Sequence, residues 1–131
     1  MNRKAKGIAG ERELIHKFWD GGWAAFRCAA SGAIKYPVPD IIAGNNLRKL
    51  AVEVKTVAND HKYFPQKEIQ ELMEFSHKFG SEAWLAIKFK SRGWYFISPE
   101  DLNPTKTQFG ISFDVCKLRG LSFQELIEKR E

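Results

Sequence analysis

Apolar positions recur at helical spacing between Lys6 and Trp19, where Ile8, Leu14, Ile15, Phe18 and Trp19 fall within about 80° of Glu11 at 100° per residue. The pattern predicts an amphipathic first helix, closed by Asp20-Gly21-Gly22 because paired glycines stop a helix. One polar residue interrupts it. Glu11 stands in the middle of the apolar stripe, whereas Glu13, His16, Lys17 and Asp20 lie on the far side and Arg12 on the border. A carboxylate pointing coreward needs a cation or several hydrogen-bond donors, since burying it unpaired is costly.

Beyond Gly22 the pattern becomes extended. Trp23 to Ala29 is short and aromatic-rich and reads as a strand, followed by a basic loop from Ser31 to Pro39. Apolar runs on either side of Gly44-Asn45-Asn46 predict a β-hairpin that contains Asp40, Glu53 and Lys55. Val57 to Pro65 is polar and reads as a crossover loop. A second helix is predicted from Gln66 to Phe79 with Gly80 as its cap and Ile69, Leu72, Met73 and Ser76 as its core stripe. Phe75 and Phe79, at the stripe's edge, either widen the core contact or face another subunit. Glu82 to Phe89 and Trp94 to Ile97 form a second hairpin, apolar enough to be covered on both faces. The tail reads as a helical turn at Ser98 to Leu102, an exposed loop over 103–110 and a strand from Gly110 to Cys116. Ser122 with Glu125 forms a capping-box pattern that opens a last helix through Glu128. This order predicts an α/β fold with a central mixed sheet of about five strands flanked by helices.

Length and charge narrow the function. A chain of 131 residues is one domain and buries roughly 65–70% of the surface that it exposes when unfolded. The excess of 21 Lys and Arg over 16 Asp and Glu favours a polyanionic partner such as nucleic acid. No apolar run is long enough to span a membrane, and the basic start lacks a signal peptide's apolar stretch, so a cytoplasmic, nucleoid-associated protein is expected. Cys28 and Cys116 allow at most one disulfide and match no paired-thiolate zinc pattern; His16, His61 and His77 stand apart.

The first hairpin supplies the candidate chemistry. Strand alternation puts Glu53 and Lys55 on one face with Val54 on the other, and an antiparallel return brings Asp40 beside them. Hydrolysing a phosphodiester requires a nucleophilic hydroxide and neutralised phosphate charge, which a hard cation supplies. Magnesium takes one or two carboxylates plus other oxygens, here Asp40, Glu53 and the Val54 carbonyl. Lys55 is placed to orient or help deprotonate the attacking water. Glu11 either reaches a coordinated water or a second cation, or forms a structural ion pair with Arg12, Arg27 or Lys55. Arg27 anchors a site carboxylate or a phosphate, or is an edge-strand charge. Lys35 in the basic loop, Lys62 beside Tyr63, and Arg3, Lys4 and Lys6 at the start are candidate DNA contacts. The Glu-x-Lys triplet alone is a weak signal; its strength comes from the combination with Pro39-Asp40 and an inward-facing Glu11.

The order Gly7-x-x-x-Glu11-Arg12-Glu13-Leu14, Phe26-Arg27, Ser31-Gly32, Pro39 to Gly44, Val52-Glu53-Val54-Lys55 and Phe75-Ser76-x-x-Phe79-Gly80 resembles the archaeal Holliday-junction resolvase family, Hjc, over about residues 3 to 97. That family has the PD-(D/E)xK, restriction-endonuclease-like fold. The resemblance implies a homodimeric, magnesium-dependent endodeoxyribonuclease, with manganese able to substitute and no organic cofactor. Such an enzyme introduces paired nicks across four-way junction DNA in recombination and repair. It implies catalytic roles for Glu11, Asp40, Glu53 and Lys55, support of the site or DNA contact by Arg12, Arg27 and Ser31, and a dimer role for Phe75 and Phe79. Cys28 departs from the small hydroxyl residue that many members carry there. Residues 103–131 match none of these motifs and are expected to be a variable segment. The alternatives are another nuclease of the same fold, of restriction or repair type, or a DNA-binding module without activity.

Overall fold

The computed structural model describes residues 3–28 and 35–129, with side chains described from Gly7 onward. Helix α1 (Arg3–Asp20) buries Leu14 and Phe18, one turn apart, with no exposure remaining. Each such burial contributes about 1.5–3 kcal/mol. The predicted glycine stop is present: Gly21 N–H donates to the Lys17 and Phe18 carbonyls at 3.0 and 3.1 Å, and Gly22 takes φ of 88°. Trp19 departs from the expected stripe. It is mostly exposed, and its indole N–H donates to the Ala25 carbonyl at 2.9 Å, so its polar edge rather than its ring fixes it.

The main sheet contains β1 (Ala24–Arg27), β2 (Ile41–Gly44), β3 (Lys49–Val57), β5 (Glu82–Phe89) and β6 (Gly93–Ile97), in the order β1-β2-β3-β5-β6. β3 and β5 are parallel and the other neighbours antiparallel, which gives the mixed five-stranded sheet expected. Asn45 closes the β2–β3 turn by accepting the Leu47 and Arg48 N–H groups on its side-chain oxygen at 2.9 and 2.8 Å. Helix α2 (Gln66–Phe79) covers one face of the sheet, with Ile69 and Leu72 packed on Ala51, Leu85 and Ile87. α1 covers the other through Leu14, Phe18, Leu50, Val52 and Trp84. β5 lies between these layers, which is why its apolar run is continuous.

Several expected elements differ. Residues His61–Pro65, read as crossover loop, form strand β4, and Gln108–Ser112 form β8; with β7 (Asn103–Pro104) they make a second, three-stranded sheet in the order β4-β8-β7. β4 buries Phe64 while His61, Lys62 and Tyr63 stay exposed, so it lacks the apolar alternation that would announce a strand. The strand expected at Gly110 to Cys116 ends at Ser112, whose hydroxyl accepts the Val115 N–H at 3.2 Å and starts α3 (Phe113–Arg119). Met73, placed in the core stripe by periodicity, is 47% exposed. The capping box at Ser122 and Glu125 opens α4 (Phe123–Glu128) as expected, and both cysteines are free thiols.

Candidate active site

β3 runs past the end of β2, and this offset creates the site. The β2–β3 register ends at Ile41 opposite Val52, so among the described residues no strand lies beside that edge of β3 from Glu53 onward. Asp40, one residue before β2, fills the gap: its Oδ2 accepts the Val54 N–H at 2.8 Å. Its own carbonyl accepts the Cys28 N–H at 2.9 Å, which extends the β1–β2 ladder one step and fixes the aspartate backbone. A strand residue directs its N–H and C=O to the same edge, so the Val54 carbonyl lies on the Asp40 side as well.

Alternation along β3 then separates two faces. Ala51 and Val57 pack on the α2 side, and Glu53 and Lys55 between them point the same way. Asp40 and Glu68, in the first turn of α2, both act on the half-buried Glu53 carboxyl, and Glu53 lies within hydrogen-bond reach of each. Burial, then the charge of Asp40, pushes Glu53 up to about 9 in the metal-free protein. Asp40 is also raised, chiefly by burial, against the opposing hydrogen bond from Val54 and the charge of Lys55. Glu11 approaches from the α1 side. Its carboxyl is raised by burial and by Asp40, while Arg27 Nε donates to its Oε1 at 3.0 Å. Of the pairings open to Glu11 in the sequence, the structure therefore forms the one with Arg27.

Lys55 does not pair with Glu11. Its ammonium forms an ion pair with Glu68 and lies 5.6 Å from the centre of the Phe64 ring. Glu68 was absent from the residues singled out in the sequence, where an acid in a first turn reads as ordinary helix-dipole compensation. One signal was present: Glu68 precedes Leu72 by four residues, so the two share the inward face.

Other predicted residues divide plainly. Arg12, Lys35 and Lys62 are exposed, and Arg27 is 44% exposed at its side chain. The side chains of Arg3, Lys4 and Lys6, and Ser31 with the rest of 29–34, lie outside the described residues. Phe75 is half-buried against the α2-side core, with its ring 5.2 Å from that of the exposed Phe79.

The donor set suits a hard cation. Among the described residues, no three acidic, histidine or cysteine side chains are placed to hold an ion between them. Magnesium needs fewer, since it takes one or two carboxylates and completes its octahedron with other oxygens. Asp40, Glu53 and the Val54 carbonyl meet that need, and the upward shift of both carboxyls marks negative charge in excess of what Lys55 offsets.

A mixed sheet between helices, with paired acids and a lysine at an open strand edge, defines the restriction-endonuclease-like class of nucleases. Within that class the chain belongs to the archaeal Holliday junction resolvase family, whose model, "Archaeal holliday junction resolvase (hjc)", matches residues 2–131. The match includes the segment 103–131 that the motifs in the sequence left unassigned. The chain is 38% identical over 126 residues to the crossover junction endodeoxyribonuclease Hjc of Archaeoglobus fulgidus, covering 96% of this chain and 92% of that protein. It is 33% identical to the enzyme of the same name from Sulfolobus acidocaldarius, covering 97% and 90%. The solved structure of Archaeoglobus fulgidus Hjc, described as a Holliday junction resolvase from an archaeal hyperthermophile, matches with a TM-score of 0.86 at 37% identity, covering 92% of this chain and 98% of that one.

Proposed function

We propose that this chain is a magnesium-dependent, homodimeric endonuclease that resolves four-way DNA junctions by paired phosphodiester hydrolysis. The observation that carries the reading is the open edge of β3, where Asp40 is bonded to Val54 and faces Glu53 and Lys55. Asp40, Glu53 and the Val54 carbonyl would hold the cation, which supplies a hydroxide nucleophile and offsets phosphate charge. Lys55 orients the attacking water and neutralises charge that develops on the phosphate. Glu11, tied to Arg27 at the mouth of the site, contributes charge from the opposite side of Asp40. Exposed Arg12, Arg27, Lys35 and Lys62 contact the phosphate backbone, with Arg3, Lys4, Lys6 and Ser31 as further candidates.

Two equivalent strands of a junction are related by a twofold axis, so paired cutting calls for two sites related in the same way. The exposed side of α2, where Phe79 and Met73 reach solvent beside half-buried Phe75, is the proposed dimer surface. Sedimentation of Phe79→Ala against wild type tests it; unchanged dimerisation would remove Phe79 from the interface. The function itself is tested by cleavage of a mobile four-way junction and of linear duplex in magnesium, with calcium as the non-supporting control. Strong preference for the junction is expected. Equal cutting of both substrates would reassign the chain to the restriction or repair nucleases of the same fold.

A further inference from the structure

Glu68 touches two charged β3 residues on the α2 face, Glu53 and Lys55. Its carboxylate pairs with the Lys55 ammonium, and it lies within hydrogen-bond reach of Glu53. The position is firmly built. β4 leads directly into α2 at Pro65–Gln66, and Ile69, next to Glu68, is fully buried in the core that also holds Phe64. Phe64 forms the other side of the lysine's surroundings. The pair is about three-quarters shielded, with side-chain exposures of 24% and 27%.

A lysine ends a flexible four-carbon stem and presents a point charge with no fixed fork, so its catalytic use depends on what holds its end. Lys55 has Asp40 and Glu53 on one side and open solvent on another. Compensation of the helix dipole would need a carboxylate near the α2 terminus, but not one pointing at β3 and engaged with a strand lysine.

We propose that Glu68 is the positioning residue for Lys55, holding the ammonium between the Phe64 ring and Glu53 so that it meets the scissile phosphate in one geometry. Glu68 acts through Lys55 and touches neither substrate nor cation. The inference rests on the nuclease reading of Lys55, but its first test needs neither metal nor DNA.

In metal-free protein, the rate of reductive methylation at each lysine is read by peptide mass spectrometry. Loss of a partly shielded ion pair is worth about 0.5–1 kcal/mol, so Lys55 should react about two- to fivefold faster in Glu68→Gln while exposed Lys78 is unchanged. An unchanged Lys55 rate would overturn the proposal. In the second test, Glu68→Gln should lower single-turnover cleavage of the junction about tenfold, because displacement of a positioned group acts on the chemical step. Junction affinity in calcium should stay at the wild-type value, the melting temperature should move by no more than the few degrees that such an ion pair is worth, and Glu68→Asp, which keeps the charge, should recover part of the rate. Combining Glu68→Gln with Lys55→Ala should cost no more than Lys55→Ala alone. Additive losses would overturn the assignment. So would weaker manganese binding in Glu68→Gln with the full rate restored at high manganese, since Glu68 would then be a cation ligand. A wild-type protein that cannot cut junctions would sink the nuclease reading, yet leave the methylation result standing.

Discussion

Two charged clusters lie on β3 or beside it, and the chain treats them in opposite ways. Just before β3, Arg48 donates to both Glu82 carboxylate oxygens at 2.7 and 2.9 Å and to the Leu126 and Lys129 carbonyls at 2.7 and 3.1 Å, while its guanidinium lies 5.2 Å from the centre of the Trp23 ring. Trp84 adds its indole N–H to Glu82 at 3.0 Å. Charge is matched there, and these hydrogen bonds hold Glu82 below its ordinary value in spite of partial burial. A few residues along the same strand, Glu53 faces Asp40 and Glu68 with one lysine among them, and it is pushed up to about 9. The first cluster ties the hairpin to β5 and α4. The second costs stability in the metal-free protein and is explained by the ligand it is arranged to receive.

The largest expected effect breaks the second cluster. Glu53→Gln should slow junction cleavage about a thousandfold, a barrier increase of about 4 kcal/mol, since cation and nucleophile both depend on that carboxylate. The same substitution removes a repelled acid, so the melting temperature in EDTA should rise. Adding magnesium should then raise the melting temperature of wild type by ligand linkage and leave that of Glu53→Gln unchanged. A variant that is inactive and also less stable would show that Glu53 had been a structural residue.

Breaking the first cluster should do the reverse. Arg48→Ala leaves a mostly shielded Glu82 with the Trp84 indole as its remaining side-chain donor, and should cost about 2–3 kcal/mol in denaturant unfolding. Cleavage measured well below the melting temperature should persist, because nothing near Asp40 moves. A selective loss of activity with stability intact would dissolve the distinction between the two regions.

Acidity separates them with opposite signs. Glu82 titrates below its ordinary 4.5 when folded, so its stabilisation is present above pH 4.5 and is lost as pH falls through the lowered value. Glu53 titrates near 9 when folded, so in the metal-free protein its contribution is full below pH 4.5 and is lost as pH rises toward about 9. Melting curves in EDTA should accordingly lose part of their acid-side slope in Glu82→Gln and part of their alkaline-side decline in Glu53→Gln.

The sequence exposed the second cluster more readily than the first. Asp40, Glu53 and Lys55 stand in one hairpin whose alternation is local, and Glu11 interrupts an otherwise apolar helix stripe, so both deviations show without knowledge of tertiary contacts. Arg48 and Glu82 are 34 residues apart, and each alone looks like an ordinary surface charge. Glu68 escaped for the same reason, since its meaning depends on how α2 sits on β3. β4 is illegible because its pairing is non-local and it buries little, whereas β8 shows in the sequence only over Gly110–Ser112. α3 was misread because Ile111, Phe113 and Val115 alternate with Ser112, Asp114 and Cys116, a strand-like pattern that the Ser112 cap overrides.

An exposed pair provides the scale for the comparison. Lys78 donates to Glu74 at 3.0 Å, one turn apart on α2, and their side chains are 73% and 49% exposed. Its length matches that of the Glu11–Arg27 contact, yet water screens it and both chains give up rotamer freedom to form it. Glu74→Gln should therefore change unfolding free energy by about 0.3–0.5 kcal/mol or less, diminishing further in high salt. That is several times smaller than the expected loss for Arg48→Ala, whose partner is also held by neighbouring groups and largely hidden from solvent. Equal losses in the two variants would mean that ion-pair geometry alone sets the energy. A smaller one at Glu74 assigns the difference to burial and shared hydrogen bonds, the same conditions that make the surplus of carboxylates around Glu53 costly.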